Sequence, residues 1–187
     1  MKIKPVAALV LIAGMSVALA GCATLQRGPV GNPDVPEPAK SVDLTRYAGL
    51  WYEIGRYENG FEKHCEGVTA RYTLREDGLV GVLNTCREGS VGGEARSSEG
   101  KAKVVEGSGN AKLKVSFFGP FYFGDYWVLD RAEDYSWSIV GEPSGRYLWL
   151  LSREPNPSAE VHRTILRRVA ELGYDTSLVR PVAQPPA

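Results

Sequence analysis

Several short segments of the chain alternate apolar and polar residues with a period of two. In "AKLKVSFF", Leu113, Val115 and Phe117 fall on one side and Lys112, Lys114 and Ser116 on the other; in "VTARYTL", Val68, Ala70, Tyr72 and Leu74 oppose Thr69, Arg71 and Thr73. Such segments are strands with one dry and one wet face. Strand-like composition recurs in "LWYEIGRY", "GVTARYTL", "LVGVLNT", "SEGKAKVV", "AKLKVSFF", "DYWVLD", "SWSIVG" and "YLWLLSR". The links are tight and rich in turn residues, among them Asp77-Gly78, Gly107-Ser108-Gly109-Asn110 and Pro143-Ser144-Gly145. Eight strands joined in sequence by short turns are antiparallel neighbours. A meander of that length avoids exposed edges most simply by closing into a barrel with room for one small ligand.

After the last strand the apolar spacing becomes helical. "NPSAEVHRTILRRVAELG" offers Asn156 as N-cap, Pro157 at the first helical position, a stripe of Val161, Ile165, Val169 and Leu172, and Gly173 at the C-terminal stop. That stripe needs an apolar partner, and the outer wall of the barrel is the nearest. The expected architecture is all-β, an eight-stranded antiparallel up-and-down barrel with one C-terminal α-helix packed outside.

The two ends of the chain read differently. "MKIKPVAALVLIAGMSVALAGC" places two lysines before fifteen uncharged residues, Val6 to Ala20. The run is short of the roughly 20 residues that span a bilayer and reads as a secretory signal, residues 1–21. Leu19-Ala20-Gly21-Cys22 resembles the bacterial lipobox, which implies cleavage before Cys22 and lipidation of its thiol and new amino end. An aspartate after that cysteine retains such proteins in the inner membrane of Gram-negative bacteria; Ala23 here favours the outer membrane, with the domain facing the periplasm. Residues 22–41 carry the Pro- and Gly-rich "ATLQRGPVGNPDVPEPAK" and read as a flexible tether. The folded domain is expected over 42–180, and the Pro-rich end, 181–187, as a disordered tail.

Loss of Lys2 and Lys4 with the signal leaves 20 basic against 22 acidic side chains. A nearly neutral, mixed surface gives no electrostatic reason to expect nucleic acid. With Cys22 carrying lipid, Cys65 and Cys86 remain, and an even pair in an oxidising compartment reads as a disulfide across the hairpin that turns at "EDG". A zinc or thiol-catalytic site would need companions, and His64 and His162 are the only histidines.

Three further segments carry a family resemblance. Gly49-Leu50-Trp51 fits a Gly-x-Trp signature at the first strand, Asp125-Tyr126 a second, and Arg153 in "LWLLSR" an arginine ending the last strand. With "SEGKA", "LKVSFFGPFY" and "YLWLLSR", the region from 42 to about 180 resembles the lipocalins, most closely the bacterial outer-membrane lipoprotein lipocalins, which are related to apolipoprotein D. The resemblance implies that Trp51 lies at the closed floor of the barrel with Arg153 across its ring, both structural. Gly124 departs from the pattern, since many lipocalins carry threonine there. Family members pair as dimers, so a homodimer is a further expectation, although no residue marks an interface.

Catalysis finds little support. There is no Gly-x-Ser-x-Gly, no His-Glu-x-x-His and no Gly-rich phosphate loop. His64 beside Cys65 reads as a solvated loop histidine, and Glu76-Asp77 and Glu133-Asp134 as turn charges. No catalytic residue, metal set or cofactor is assigned. The aromatic supply, Phe117, Phe118, Phe121, Tyr122, Phe123, Tyr126, Trp127, Tyr147 and Trp149, suits an apolar calyx, although only one face of each strand points inward. The resemblance to members that bind fatty acids and lysophospholipids singles out Tyr122 and Trp149, with Tyr126 and Phe117 beside them. Glu53, two residues past Trp51, is either an inward polar handle or a member of a surface ion pair. The expected function is binding or transport of a fatty acid or lysophospholipid in the cell envelope, for storage, repair or stress. The rivals are an isomerase- or de-epoxidase-type enzyme on the same scaffold, which needs a clustered acid and base, and a ligand-free interaction protein with a filled barrel.

Overall fold

The computed structural model describes residues 29–186. A one-turn helix, α1 (Leu44–Tyr47), is capped by Asp43, whose carboxylate accepts from the Thr45 and Arg46 amides. Eight strands follow: β1 (Gly49–Tyr57), β2 (Cys65–Leu74), β3 (Val80–Glu88), β4 (Ala95–Val104), β5 (Lys112–Ser116), β6 (Gly124–Arg131), β7 (Trp137–Gly141) and β8 (Leu148–Ser152). Each pairs antiparallel with the next, β8 pairs with β1, and β1 closes onto β2 through Gly49–Tyr52 against Thr69–Tyr72. The expected up-and-down barrel is therefore what forms. One end carries α1 and the β2–β3, β4–β5 and β6–β7 turns; the other carries the β1–β2, β3–β4, β5–β6 and β7–β8 loops.

The period-two pattern sorts most side chains as predicted, but Leu74 and Phe117, expected on dry faces, are 44% and 39% exposed, and Ser116, expected on a wet face, is buried. Ala70, Tyr72, Val80, Val82, Ala102 and Leu113 are buried inside the barrel. "YLWLL" is apolar throughout because β8 is covered on both faces: Leu151 and Trp149 point inward, while Leu148 and Leu150 meet helix α2 (Ala159–Glu171) outside. The helix contributes Ile165 and Val169, both fully buried, with Val161 and Leu172 at the margins. Burying those two residues stabilises the packing by about 3–6 kcal/mol, an upper bound against an extended chain. The N-cap is Ser158, whose hydroxyl accepts from the Val161 amide, so the helix starts later than Asn156 suggested.

Both ends of the domain depart from expectation. The chain is packed on the barrel well before Val42: the Gly31 amide donates to Gly145 O at 2.9 Å, buried Asn32 donates to Leu172 O, and Glu37 pairs with Lys112. Lys40 reaches Asp130 at 3.0 Å, and Arg168 of α2 reaches the same carboxylate at 2.7 Å. Burial alone would raise the Asp130 pKa, but Arg168 and Lys40 hold it below the usual value. Part of the expected tether is thus a strap, and its composition misled because its partners are on the barrel. At the other end, β9 (Val179–Pro181) pairs with the upper half of β1, where β1 has diverged from β2. Val182 is buried, and Gln184 donates to Glu53 O and Val68 O, bridging the split. Residues 179–184 are wall rather than disordered tail, and proline is admissible there because β9 is an edge strand.

Candidate functional site

The floor of the barrel is built on Trp51. Its indole N–H donates to Tyr47 O at 2.8 Å, and the Arg153 guanidinium carbon lies 3.8 Å from its ring centroid. Arg153 also donates to Leu50 O, Arg46 O, Tyr47 O and Ala48 O, taking up carbonyls at the C-terminal end of α1. Gly49 has φ +96°, and a Cβ there would meet Arg153 Nη1 at 3.4 Å, which gives the Gly-x-Trp glycine its reason. Above the indole, Tyr126 Oη lies 2.9 Å from both Tyr47 Oη and Tyr72 Oη, and Tyr47 Oη is 3.0 Å from Ser138 Oγ. Burial pushes the Tyr47 phenol up to about 12. These hydroxyls seal the floor with mutually satisfied groups.

Between floor and mouth lies a cavity of about 740 Å³, lined low down by Ala70, Tyr72, Val80, Val82, Ala102 and Leu113. Its upper part is mixed. Trp149 stacks on Tyr147 with centroids 5.8 Å apart, and Phe61 leans on both. The Trp149 indole N–H donates to Glu62 at 2.9 Å, and Asn59 also bonds that carboxylate. Buried Glu53 accepts from Arg56 at 2.9 Å, and Arg56, with no exposed surface, donates onward to Glu62 O and Cys65 O and pairs with Glu58. Arg56 thereby fixes the β1–β2 loop at the rim. Burial pushes the Glu53 carboxyl well above its ordinary range, the nearby Glu62 adds to this, and Arg56 opposes it. Across the mouth stand Asn84, Thr85, Arg96, Ser97 and Ser98, and Asn84 Oδ1 is buried with no hydrogen-bond partner.

Of the residues singled out from sequence, Trp149, Tyr126, Phe117, Glu53 and Asp125 border this cavity. Phe117 sits over Gly100, where a Cβ would come within 2.8 Å of its ring. Asp125 pairs with Lys114 at 2.6 Å. Tyr122 is a correction: its ring lies on the outer wall between Lys101 and Lys103, the latter 4.7 Å from its centroid, because the β5–β6 loop folds outward after Phe118. Trp127 likewise faces outward, over Lys112 and toward α2. A Cβ at Gly124 would stand at ordinary contact distance from Val115, so nothing at that atom demands glycine. Cys65 and Cys86 form a disulfide tying β2 to β3 near the mouth. Cys22 lies outside the described residues. Glu62, Arg56 and Asn84 were missed; Tyr72 had its signal in the dry face of "VTARYTL". Among the described residues no three His, Cys, Asp or Glu cluster as metal ligands.

A closed floor, an apolar cavity and one polar mouth define a ligand-binding barrel, and the comparisons give it a family. Residues 42–184 match the model of the lipocalin-like domain, and the chain belongs to that family. The chain is 42% identical over 165 residues to "Outer membrane lipoprotein Blc" of Vibrio cholerae, covering 87% of this chain and 95% of that one. It is likewise 42% identical to the protein of the same name from Escherichia coli K12, with 80% and 87% covered. "Apolipoprotein D" of Macaca fascicularis is 32% identical over 84% of this chain and 87% of its own. Among solved structures, insecticyanin from the tobacco hornworm Manduca sexta superposes with a TM-score of 0.66 at 22% identity, over 84% of this chain and 88% of that one, a likeness of fold.

Proposed function

We propose that this chain is a lipid-anchored carrier of single-chain lipids, held at the outer membrane through Cys22 and facing the periplasm, and that it takes a lysophospholipid in preference to a free fatty acid. The observation that carries this reading is the largely apolar cavity of about 740 Å³, closed at the floor and open at the mouth, within the range of small-molecule sites. A filled, ligand-free barrel would lack that room. Relatives named outer membrane lipoproteins support the location.

Preference for the phospholipid rests on the mouth. A free fatty acid carboxylate can meet Arg96 but brings no cation to Glu62, which repels it. A zwitterionic headgroup offers a phosphate to Arg96 and an ammonium to Glu62, and its glycerol hydroxyl can satisfy Asn84 Oδ1. The acyl chain then occupies the lower cavity, where each methylene contributes about 0.8 kcal/mol.

Displacement of a fluorescent acyl probe tests this directly. Lysophosphatidylethanolamine should compete more strongly than oleate, and Glu62→Gln should narrow the difference. Equal competition by the two would remove the headgroup assignment. One observation favours a second reading: Glu53 and Glu62 are a clustered carboxyl pair within the cavity, as an isomerase- or de-epoxidase-type enzyme would need. Recovery of chemically altered lipid after incubation would favour it; recovery of intact lipid favours the carrier.

A further inference from the structure

The β5–β6 loop, "FFGPFYF" (117–123), places Phe118, Phe121 and Phe123 beside the mouth, with Phe61 on the opposite loop. Phe121, Phe61, Phe123 and Phe118 are 60%, 63%, 84% and 86% exposed, and the Phe121 and Phe123 rings stack with centroids 5.6 Å apart. None of these rings is needed to close the barrel, whose floor is at the other end. Phenyl groups in water at this density mark a surface meant for something apolar.

The strap indicates what that is. Gly31 is bound to Gly145 in the β7–β8 loop, at the mouth end of the barrel, and the strap then runs along the wall to Lys40 and Val42, which bonds Gly109 at the floor end. The anchored end of the chain therefore leaves the fold beside the mouth. Eight residues lie between Cys22 and Gly31, and the nine fully extended steps from one to the other reach about 30 Å. A ten-residue strand such as β2 is itself about 33 Å long, so the floor end lies roughly a barrel's length further from the anchor. With a lipid anchor at Cys22, that route favours the aromatic rim facing the membrane.

We propose that the rim of Phe61, Phe118, Phe121 and Phe123 docks into the headgroup region of the bilayer that holds the anchor, and that lipid passes between bilayer and cavity through that contact. This rests on the lipid-carrier reading and on lipidation at Cys22. Phenyl rings suit this depth, because they bury apolar area without carrying charge into the membrane. Phe118, Phe123 and Phe61 also border the cavity, so a lipid leaving the bilayer meets aromatic side chains on the β1–β2 and β5–β6 loops before the polar groups of the mouth.

The test uses the full lipidated chain reconstituted in vesicles of phosphatidylethanolamine and phosphatidylglycerol, with a nitroxide on the upper acyl carbons. Phe123→Trp reports the rim and Glu76→Trp the floor end, each read as the difference from the unsubstituted chain. Rim fluorescence should fall about twofold or more while the floor-end probe is unchanged. Phe121→Asp places a charge on the rim at a position that does not border the cavity. It should slow uptake of lysophosphatidylethanolamine from vesicles by about tenfold, with the affinity for monomeric lipid in solution unchanged. A rim left unquenched by chains that still bind monomeric lipid would overturn the docking and spare the carrier. An unquenched rim in chains that run as dimers in detergent would give the surface to a second copy and overturn it too. Failure to bind monomeric lipid would sink the carrier reading itself.

Discussion

Ala102 is buried on the cavity wall of β4, paired with Val80 and Val115 near the floor end of the barrel. Ala102→Phe should place a ring where the end of an acyl chain would lie, taking the room of about four methylenes at about 0.8 kcal/mol each. For lipids long enough to reach the floor the loss is about 3 kcal/mol, roughly a hundredfold or more in Kd. The assay is a titration series of lysophospholipids with one headgroup and increasing chain length. In the unsubstituted protein each added methylene should tighten binding about fourfold until the chain reaches the tyrosine floor. The variant should follow the same slope and level off about four carbons earlier. Ala102 is 1% exposed, so part of the ring overpacks its neighbours, and urea unfolding should show a loss of about 1–3 kcal/mol that does not depend on lipid chain length. A uniform loss at every chain length, or an unchanged plateau, would refute the placement of the acyl chain.

Arg153→Ala removes the cation over Trp51 and four donated hydrogen bonds to backbone carbonyls at the floor. Allowing for solvent at the guanidinium, the cost should be about 3 kcal/mol, seen as a fall of about 6–12 °C in Tm; Arg153→Lys should recover little of it, since an ammonium lacks the planar fork. Replacing both Cys65 and Cys86 by serine opens a loop of 21 residues and should cost about 3 kcal/mol in urea unfolding, the same loss produced by reductant. Glu53 binds its proton more tightly in the folded state than at its ordinary pKa of 4.5, so its contribution is fully present below that pH and is lost as pH rises through the raised value. Urea midpoints from about pH 4 to about pH 8 should decline with a slope that Glu53→Gln flattens; an identical slope in the variant would remove Glu53 as its source.

Much of the barrel was legible because strand faces are a local property. Alternation in "VTARYTL" and "AKLKVSFF" assigns Ala70, Tyr72 and Leu113 to the interior without knowledge of partners, and it does so correctly. What escaped depends on partners distant in sequence. Pro181 and Val182 look like tail residues until the gap between β1 and β2 is in view, and Asn32 looks like linker until Leu172 O is beside it. Tyr122 sits in an aromatic run whose loop folds back on the outer wall, and nothing in "GPFY" marks that turn outward. Trp149 was placed on the cavity side, yet its hydrogen bond to Glu62 was invisible, because the β1–β2 loop that presents Glu62 is held by buried Arg56.

The proposed function stands on carriage of one single-chain lipid in the calyx. Native mass spectrometry of the protein purified from a bacterial envelope, followed by denaturing lipid extraction, measures this most directly. A one-to-one acyl ligand, chiefly lysophospholipid and depleted by Ala102→Phe, is the expected result. A protein that arrives free of lipid and takes up neither oleate nor lysophospholipid at micromolar concentration would contradict it.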